Sequence, residues 1–470
     1  MKKKAKIIAT LGPSIFAEEK LKKAILNGVD AFRINFSHNI SGIDKVVKKI
    51  RKFERLLNKK ISIIADLQGV KLRLGKIENN AIKIKANQKI IIDSLNKIGS
   101  QERLSFPYPQ LLKKVKVGNK ILIDDGKYLF KVIKKIKNGV IAVNQSGNGR
   151  ISSNKSLHIP NFFVPFDNLT KKDKQDIKIA KRLGCNWLAL SYIQNAKLIR
   201  QTRNLIPKDM GIIAKIENRN ALKNIKEIIN ETTAIMIARG DLAMDIGHSE
   251  VPEVQLDLIK QCTAASKPVI VATQMLESMI ESIVPTRAEI NDVATAIFQG
   301  ADTVMLSAET AAGKYPLESI KTMKKTILSA EKYKKKHIED YKNTIDAKND
   351  PVKSIILSVK DLAYNPNVKA VIAFSNSGST AKLVSALRPS VKIITISPNI
   401  NVSRQLALIW GVESVNSRDA KNWNDMMNIA KEIVKKDKAI KRNDYVIITA
   451  GLPFGKAKMT NMIRFYKVGS

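Results

Sequence analysis

Short apolar runs recur along the chain, and most of them end in polar or charged residues. Runs of this kind are typical of parallel strands that are buried on both faces. Helical segments separate them, so the pattern predicts alternating strands and helices. The strands predicted before residue 310 are Lys6–Thr10, Ala31–Phe36, Ile61–Leu67, Trp187–Tyr192, Gly211–Glu217, Ala234–Asp241, Pro268–Gln274 and Thr303–Glu309.

Eight strand–helix units are the number that closes a (β/α)8 TIM barrel, whereas an open doubly wound sheet is the alternative arrangement. Polar residues at the end of nearly every strand favour the barrel, because barrel active sites are built at that face. We therefore expect an α/β chain in which residues 1–69 and 162–342 form a catalytic barrel.

Two further regions interrupt or follow this pattern. Residues 70–161 lack a helical period and contain turns such as Asp124–Gly126 and Gly147–Gly149, which predicts a small inserted β-rich domain. Beyond residue 343, the apolar runs Ala370–Phe374, Lys392–Ile396 and Tyr445–Thr449 alternate with helical segments. Residues 343–470 are therefore expected to form a separate α/β domain with an open parallel sheet.

The composition narrows the class of protein. A hydrophobic fraction of 44% in 470 residues supports cores in more than one domain. Every apolar run is shorter than the roughly 18–20 residues that a membrane helix needs. The two cysteines, Cys185 and Cys262, cannot form a disulfide scaffold or a zinc ribbon. We expect a cytoplasmic protein with no membrane partner.

The chain carries 82 Lys and Arg residues against 42 Asp and Glu residues, a net charge of +40. A charge of this size is common in proteins that bind polyanions. The lysines are nevertheless spread over the whole length, without a basic arm or interleaved aromatic residues for base stacking. Abundant Lys, Ile and Asn together indicate the codon usage of an AT-rich genome, so no specific nucleic-acid partner is expected.

Candidate chemistry is concentrated where the predicted strands end. Lys215 and Glu217 end one strand, and Asp241 ends the next. Two carboxylates can hold Mg²⁺ or Mn²⁺, and a lysine beside them can neutralise charge on a transferring phosphoryl group. The other strand ends, with the start of the insertion, contribute Arg33, Asn35, Ser37, His38, Asp66, Arg73, Ser191, Arg239, Gly240, Thr273, Gln274, Ser307 and Glu309.

Several cations and oxygen ligands at one face favour a phosphorylated substrate and a divalent metal. Arg33 and Arg73 can grip phosphate oxygens with two hydrogen bonds each. Each residue alone has a simpler explanation, since Lys215 and Glu217 can form a structural ion pair. The sequence contains no Walker A motif and no kinase-type glycine-rich loop, so a phosphotransferase would use a different scaffold.

Seven longer motifs resemble those of the pyruvate kinase family, and the resemblance covers essentially the whole chain. It implies a catalytic barrel, a β-barrel lid formed by residues 70–161 and a C-terminal α/β regulatory domain. The motifs are Phe32–His38, Ala65–Gly69, Ala214–Asn218, Ala238–Leu242, Ala272–Met279, Pro285–Glu289 and Met305–Ala311.

This resemblance implies phosphate transfer from phosphoenolpyruvate to ADP, which gives pyruvate and ATP in the last step of glycolysis. By position, Glu217 and Asp241 match the Mg²⁺ ligands, and Lys215 matches the lysine that stabilises the phosphoryl transition state. With Lys215, the implied catalytic residues are Thr273, Arg33 and Arg73. The remaining implied contacts are Arg33, Gly240, Asp241 and Thr273 for substrate, Arg73, Lys155, Asn35 and His38 for nucleotide, and Asn35, Ser37, Asp66 and Leu67 for a monovalent cation.

The chain departs from the family pattern at a few positions. Lys71 stands where many members have a glutamate, and a lysine there is typical of members that do not need K⁺. An ammonium near Asp66 supplies the charge that K⁺ would bring, so we expect K⁺-independent activity. Val70, Ser156 and Gln194 also differ from the common residues, and these departures bear on the contacts of the lid.

The C-terminal region carries hydroxyl groups and a glycine after a predicted strand, which is a favourable cradle for phosphate. Because the family has an effector site at this loop, Ser375, Ser377, Ser379 and Thr380 are expected to bind a sugar phosphate or AMP. A capped turn without a ligand is the alternative. The resemblance also implies a homotetramer.

Two other functions compete with this interpretation. A different Mg²⁺-dependent barrel acting on phosphoenolpyruvate or pyruvate, such as a lyase or an aldolase, would use similar residues. Arg73 and Lys155 favour a nucleotide and therefore a kinase. A basic polyanion-binding protein without catalysis is the second competitor, and the set Arg33, Lys215, Glu217, Asp241 and Thr273 argues against it.

Overall fold

The computed structural model describes residues 2–38, 40–162, 168–337, 350–453 and 459–470. Its strands, in chain order, are β1 (Lys6–Thr10), β2 (Ala31–Asn35), β3 (Ser62–Asp66), β4 (Ala81–Ile84), β5 (Lys89–Asp93), β6 (Arg103–Ser105), β7 (Lys120–Ile123), β8 (Tyr128–Ile136), β9 (Gly139–Asn144), β10 (Gly149–Ser152), β11 (Leu157–His158), β12 (Trp187–Leu190), β13 (Gly211–Ile216), β14 (Ala234–Ala238), β15 (Val269–Ala272), β16 (Thr303–Leu306), β17 (Val368–Phe374), β18 (Lys392–Ser397), β19 (Val412–Asn416), β20 (Tyr445–Ala450) and β21 (Met462–Lys467).

The helices cover the outside of the barrel and both faces of the C-terminal sheet, except α3, which packs in the insertion. They are α1 (Glu18–Leu26), α2 (Ile43–Leu56), α3 (Pro109–Leu112), α4 (Lys171–Arg182), α5 (Lys197–Arg203), α6 (Arg219–Lys223), α7 (Ile225–Glu231), α8 (Arg239–Ile246), α9 (Val251–Ala264), α10 (Arg287–Gln299), α11 (Ala308–Ala311), α12 (Pro316–His337), α13 (Pro351–Leu362), α14 (Ser379–Ala386), α15 (Ile400–Gln405) and α16 (Trp423–Lys436). No helix in these described ranges is long and apolar enough to cross a membrane.

Eight parallel strands close into a barrel in the order β1-β2-β3-β12-β13-β14-β15-β16, with β16 paired to β1. The predicted barrel is therefore confirmed, and the open doubly wound sheet is wrong for this region. Several strands end earlier than the sequence predicted, because β13 stops at Ile216, β14 at Ala238 and β15 at Ala272. The polar residues that follow lie just beyond the sheet, at the carboxyl face of the barrel.

The barrel interior is filled by apolar side chains that point inward from successive strands. Ile8, Trp187, Ile213 and Met236 belong to this buried cluster. Leu408 joins it from a short 3₁₀ turn that follows α15 in the C-terminal region. The amino end of the barrel is thus closed by a residue of another region of the chain.

The insertion between β3 and β12 is β-rich, as predicted. It contains a six-stranded sheet in the order β11-β7-β8-β9-β5-β6 and a two-stranded sheet of β10 and β4. The expected β-barrel is not closed among the described residues of this segment, since β11 and β6 are unpaired edges of the larger sheet. Buried residues such as Phe106, Phe130 and Ile151 give the insertion a hydrophobic core of its own.

The C-terminal sheet has the order β19-β18-β17-β20-β21. The three predicted strands, β17, β18 and β20, are parallel, as expected. The structure adds β19, which is parallel to β18, and β21, which runs antiparallel to β20 at the edge. Alternate residues face opposite helical layers, so that Val371 and Ile447 lie in one buried cluster and Ile372 and Ile448 in the other. The sheet is therefore buried on both faces.

Candidate active site

The ammonium of Lys215 lies in a buried charge cluster at the carboxyl end of the barrel. Its Nζ is 2.9 Å from Glu217 Oε1 and 3.3 Å from Asp66 Oδ1, and it donates to Ser191 Oγ at 2.7 Å. Asp66 Oδ2 also accepts from Arg33 Nε at 2.6 Å. These residues come from the ends of β2, β3, β12 and β13, and they meet because parallel barrel strands end at one face.

The charges of this cluster stabilise one another. Burial disfavours the ammonium of Lys215, but Asp66 and Glu217 outweigh burial and raise its pKa. Burial also works against the carboxylate of Asp66, yet Lys215 and Arg33 lower its pKa. Lys215 and Asp66 are therefore both charged at neutral pH.

Glu217 and Asp241 are the two carboxylates expected to hold a divalent cation. The backbone N–H of Tyr192 donates to Glu217 Oε2 at 2.6 Å, which fixes the orientation of that carboxylate. Burial raises the pKa of Glu217, Lys215 opposes this, and the negative charge of Asp241 adds to it. A cation between the two carboxylates would relieve their repulsion.

Glu217 and Asp241 fit a Mg²⁺ ion that takes its remaining ligands from substrate and water, and not a metal that the protein encloses with its own side chains. Asp241 is exposed in the first turn of α8, where it forms no hydrogen bond or ion pair with any residue that the structure describes. The described ranges contain no cluster of three or more His, Cys, Asp or Glu side chains that could enclose a metal. Mg²⁺ is commonly bound by one or two carboxylates together with substrate phosphates and water.

After β15 the backbone turns through positive φ at Thr273 (φ 69°) and Gln274 (φ 53°), which is strained for a β-branched residue. Arg239 holds this turn, because its Nη2 donates to the carbonyls of Thr273 at 2.7 Å and Gln274 at 3.1 Å. Asp292 accepts from Arg239 Nη1 at 2.7 Å. Thr273 Oγ1 accepts from the backbone N–H of Gly240 at 2.9 Å, so the turn meets the start of α8.

Arg73 and Lys155 lie close together in the insertion. Arg73 forms a β-bridge with Ser156, and its Nη1 donates to the Asn154 carbonyl at 2.6 Å. Lys155 Nζ is 2.6 Å from Asp124 Oδ1. The two cations predicted to bind nucleotide therefore share one exposed edge of the insertion.

Lys71 is half-buried near the junction of the insertion and the barrel. Burial lowers the pKa of its ammonium, repulsion from Arg73 and Lys215 adds to the shift, and Asp241 and Asp66 oppose it. Lys71 therefore feels the same carboxylates as Lys215. No residue that the structure describes forms an ion pair with it.

The other predicted cation and nucleotide residues surround the ends of β2 and β3. Asn35 Oδ1 accepts from the backbone N–H of Ser37 at 3.1 Å, and the Leu67 carbonyl accepts from Ser191 Oγ at 2.8 Å. His38 is largely exposed. Its partial burial and the repulsion from nearby lysine and arginine side chains lower the pKa of its imidazole. Asn35 Oδ1 and the Leu67 carbonyl, which were expected to bind a monovalent cation, thus each accept a hydrogen bond from the protein in this structure.

Of the hydroxyl groups predicted to bind an effector, Ser375 and Ser377 lie between β17 and α14, and Ser379 and Thr380 lie in the first turn of α14. Ser377 Oγ donates to Ser379 Oγ at 3.0 Å, and both side chains are exposed. Thr380 is buried and its Oγ1 lies 2.7 Å from Thr460 Oγ1, whereas Ser375 is buried at the end of β17. Two of the four predicted residues thus face solvent.

Sequence reasoning missed residues that complete the site through the backbone. Asp292 supports the Thr273 turn through Arg239, although it lies far away in the sequence. Asp173 Oδ1 accepts from the backbone N–H of Gly69, where the chain leaves the barrel for the insertion. The capping box with Thr170 was a visible signal for Asp173, but it predicts only the start of α4.

The fold and the charge cluster define a (β/α)8-barrel enzyme that acts on an anionic substrate. Residues 2–320 match the family described as pyruvate kinase, barrel domain, and residues 353–466 match pyruvate kinase, alpha/beta domain. The chain belongs to the pyruvate kinase family.

Individual relatives support the same assignment. The chain is 37% identical to the pyruvate kinase of Staphylococcus saprophyticus, with 99% of this chain and 81% of the relative covered. It is 34% identical to the pyruvate kinase of Agrobacterium vitis, with 100% of this chain and 97% of the relative covered. The crystal structure of a pyruvate kinase from Cryptosporidium parvum superposes with a TM-score of 0.92 at 30% identity, covering 99% of this chain and 96% of that one.

Proposed function

We propose that this chain transfers the phosphoryl group of phosphoenolpyruvate to ADP and releases pyruvate and ATP. The observation that carries the proposal is the buried Lys215 ammonium between Asp66 and Glu217 at the carboxyl face of the barrel. A fixed cation at this place stabilises negative charge that develops on the transferring phosphoryl group.

Two cations and one helix start form the proposed substrate site. Arg33 and Lys215 would hold the substrate phosphate, and both are already oriented by Asp66. Gly240 and Asp241 lie in the first turn of α8, where backbone N–H groups without intrahelical partners favour a carboxylate, and the N–H of Gly240 donates to Thr273 Oγ1 in this structure. Mg²⁺ at Glu217 and Asp241 would supply positive charge next to the phosphate when bound.

The second half of the reaction requires a proton at the methylene carbon of the enolate. Thr273 is our candidate for the delivery path, because its hydroxyl lies beside Gly240 at the proposed substrate site. The insertion would act as a lid that brings Arg73 and Lys155 to the nucleotide phosphates and excludes water from the transfer.

A coupled assay tests the reaction. Purified protein is mixed with phosphoenolpyruvate, ADP and Mg²⁺, and pyruvate is followed through lactate dehydrogenase and NADH oxidation. We expect turnover that requires both ADP and Mg²⁺, with one ATP formed per pyruvate. Consumption of phosphoenolpyruvate without ADP would instead favour a lyase or an aldolase.

We also propose that activity does not require K⁺, that Ser375, Ser377, Ser379 and Thr380 bind an effector phosphate, and that the chain forms a homotetramer. The half-buried Lys71 near Asp66 supports the first of these. We also propose that the inserted lid begins at residue 70 and ends at residue 161. The proposed boundary between the barrel and the C-terminal domain, at 342/343, lies outside the described residues.

The effector proposal is tested with Ser377→Ala/Ser379→Ala, which removes the exposed hydroxyl pair. We expect a sugar phosphate or AMP to activate the wild type. The variant should lose this activation and keep the basal rate of the wild type. A wild type that ignores every sugar phosphate and AMP would contradict the effector site.

A further inference from the structure

Asp245 connects the lid to the barrel on the side of the proposed metal ligands. It is a buried residue near the end of α8, the helix that begins with Arg239, Gly240 and Asp241. Its Oδ1 lies 3.1 Å from His158 Nε2 and accepts from the backbone N–H of Asn161 at 2.9 Å. His158 is the last residue of β11, so Asp245 holds the strand by which the chain leaves the lid.

The second oxygen of the same carboxylate turns towards the catalytic strands. Asp245 Oδ2 accepts from the backbone N–H of Arg219 at 2.6 Å. Arg219 begins α6, directly after Glu217 and Asn218. Arg219 Nη2 returns to the Ile246 carbonyl at 3.1 Å, which gives the two helices a further connection.

The charge of Asp245 is stable in this environment. Burial alone would raise the pKa of the carboxyl group, but the hydrogen bonds from His158, Arg219 and Asn161 outweigh burial and lower it. A buried carboxylate with three donors is a strong and directional attachment. It is therefore a fixed point from which the lid is oriented.

The lid touches α8 at a second place. The Gly126 turn lies over Met244, since a Cβ at Gly126 would be 3.7 Å from Met244 Cγ. That turn also contains Asp124, the partner of Lys155, and Asp125, which accepts from Ser156 Oγ at 2.7 Å. The segment from Lys155 to His158 is thus held between the Asp124–Gly126 turn and α8.

Lys155 and His158 are separated by two residues, which corresponds to roughly 10 Å along an extended chain at about 3.3 Å per residue. A change in the attachment of His158 therefore changes the position of Lys155 and of its neighbour Arg73. We propose that Asp245 is a positioning residue that, through His158 and Asn161, sets the distance between the lid cations and the metal ligands Glu217 and Asp241. This inference rests on the proposed nucleotide role of the lid.

His158→Leu is the first test, because it removes the side-chain contact of the lid with Asp245 and leaves the backbone hydrogen bonds from Asn161 and Arg219 in place. We expect the KM for ADP to rise about 5- to 20-fold, while kcat and the KM for phosphoenolpyruvate change less than twofold. His158→Asn keeps a side-chain donor and is expected to recover most of the affinity for ADP. Glu250→Gln is the matched control, since Glu250 accepts from Arg219 Nη2 and forms no hydrogen bond or ion pair with the described residues of the lid.

Asp245→Asn tests the carboxylate itself. We expect a larger rise in the KM for ADP than in His158→Leu, together with faster hydrogen–deuterium exchange of residues 155–161 in the ligand-free protein. Equal losses in kcat and in both KM values, accompanied by a lower melting temperature, would show a purely structural role and overturn the proposal. Unchanged exchange and unchanged KM for ADP in soluble, folded variants would overturn it as well.

Hydrogen–deuterium exchange reports whether Asp245 anchors the lid, independently of whether Arg73 and Lys155 bind the nucleotide. Arg73→Ala tests that role directly, because it removes a lid cation without touching Asp245. If Arg73→Ala leaves the KM for ADP unchanged while Asp245→Asn still accelerates exchange in residues 155–161, the attachment stands as an anchor of the lid and the nucleotide role fails. The positioning function would then be overturned.

Discussion

Asp66 and Lys215 form a salt bridge inside the mouth of the barrel, with Oδ1 3.3 Å from Nζ. Asp66 is 1% exposed, so its charge acts on Lys215 with little screening by solvent. The pair keeps Lys215 protonated and fixed before any substrate arrives. A preorganised cation needs no rearrangement during phosphoryl transfer, which is why it contributes more than a mobile surface lysine would.

Lys215→Met should therefore lower kcat by at least about 10²–10³, the usual cost of removing one preorganised charge stabiliser. The coupled lactate dehydrogenase assay measures this loss, and circular dichroism checks that the variant is folded. Ser191→Ala is the matched control, because it removes a hydrogen-bond partner of Lys215 but leaves the charge. We expect that control to lose much less activity, and equal losses in both variants would contradict the role of the charge.

Lys71→Glu should make the enzyme depend on K⁺. The substitution replaces an ammonium near Asp66 and Asp241 with a carboxylate, so the site gains a demand for an external monovalent cation. Initial rates are measured against KCl at constant ionic strength, with tetramethylammonium chloride as the balancing salt. The wild type is expected to be insensitive and the variant to show saturable activation, whereas strong K⁺ activation of the wild type would refute the prediction.

Arg404→Met should destabilise the chain by about 2–3 kcal/mol, because it removes one of the two cations that pair with the buried Glu54 carboxylate. Arg404 of α15 donates to both oxygens of Glu54, with Nη2 2.8 Å from Oε2, and Glu54 is 2% exposed. Arg51 still pairs with Glu54, which limits the loss. Urea unfolding measures the change. The exposed pair of Arg182 and Asp44 provides the control, since Arg182→Met should have almost no effect.

Lys382→Met should stabilise the protein at neutral pH. Burial lowers the pKa of the Lys382 ammonium from 10.5 to about 8, and repulsion from Lys267 and Arg203 adds to the shift. The folded state carries the full cost of this charge below pH 8 and loses it as the pH rises towards 10.5. The variant should therefore be more stable by about 1–3 kcal/mol at pH 7, a difference that vanishes near pH 10.5.

Urea unfolding midpoints of Lys382→Met and the wild type, measured between about pH 6.5 and 10.5, test whether the stability difference falls as the pH rises. The exposed Lys438 supplies the control variant Lys438→Met, which removes a lysine side chain from the surface and should leave the unfolding midpoint close to that of the wild type. A constant difference between Lys382→Met and the wild type over this range would mean that packing, and not charge, explains the effect.

Much of the fold could be predicted because local patterns and global architecture agree. The buried run from Ile212 to Ile216 is apolar except at Lys215 and is typical of an interior parallel strand, which β13 is. Thr170 and Asp173 form the capping box that starts α4. The antiparallel β21 was missed because direction is set by the neighbouring strand and not by the composition of Met462–Lys467.

The sequence predicted those site residues that lie at the ends of barrel strands. Lys215 and Glu217 could be assigned to one face because barrel strands share an orientation. The attachment between His158 and Asp245 could not, since the two residues are far apart in the sequence and neither stands in a recognisable motif. Likewise, nothing local to Asp292 indicates that Arg239 reaches it.

Leu408 has a consequence for the synthesis of the protein. The side chain that seals the amino end of the barrel belongs to the C-terminal region, and its carbonyl accepts from Thr303 Oγ1 at 2.8 Å. All eight barrel strands leave the ribosome before this residue does. The newly made barrel therefore keeps an open apolar end until the C-terminal region emerges, and a message truncated before codon 408 yields a barrel that exposes this surface to chaperones and proteases.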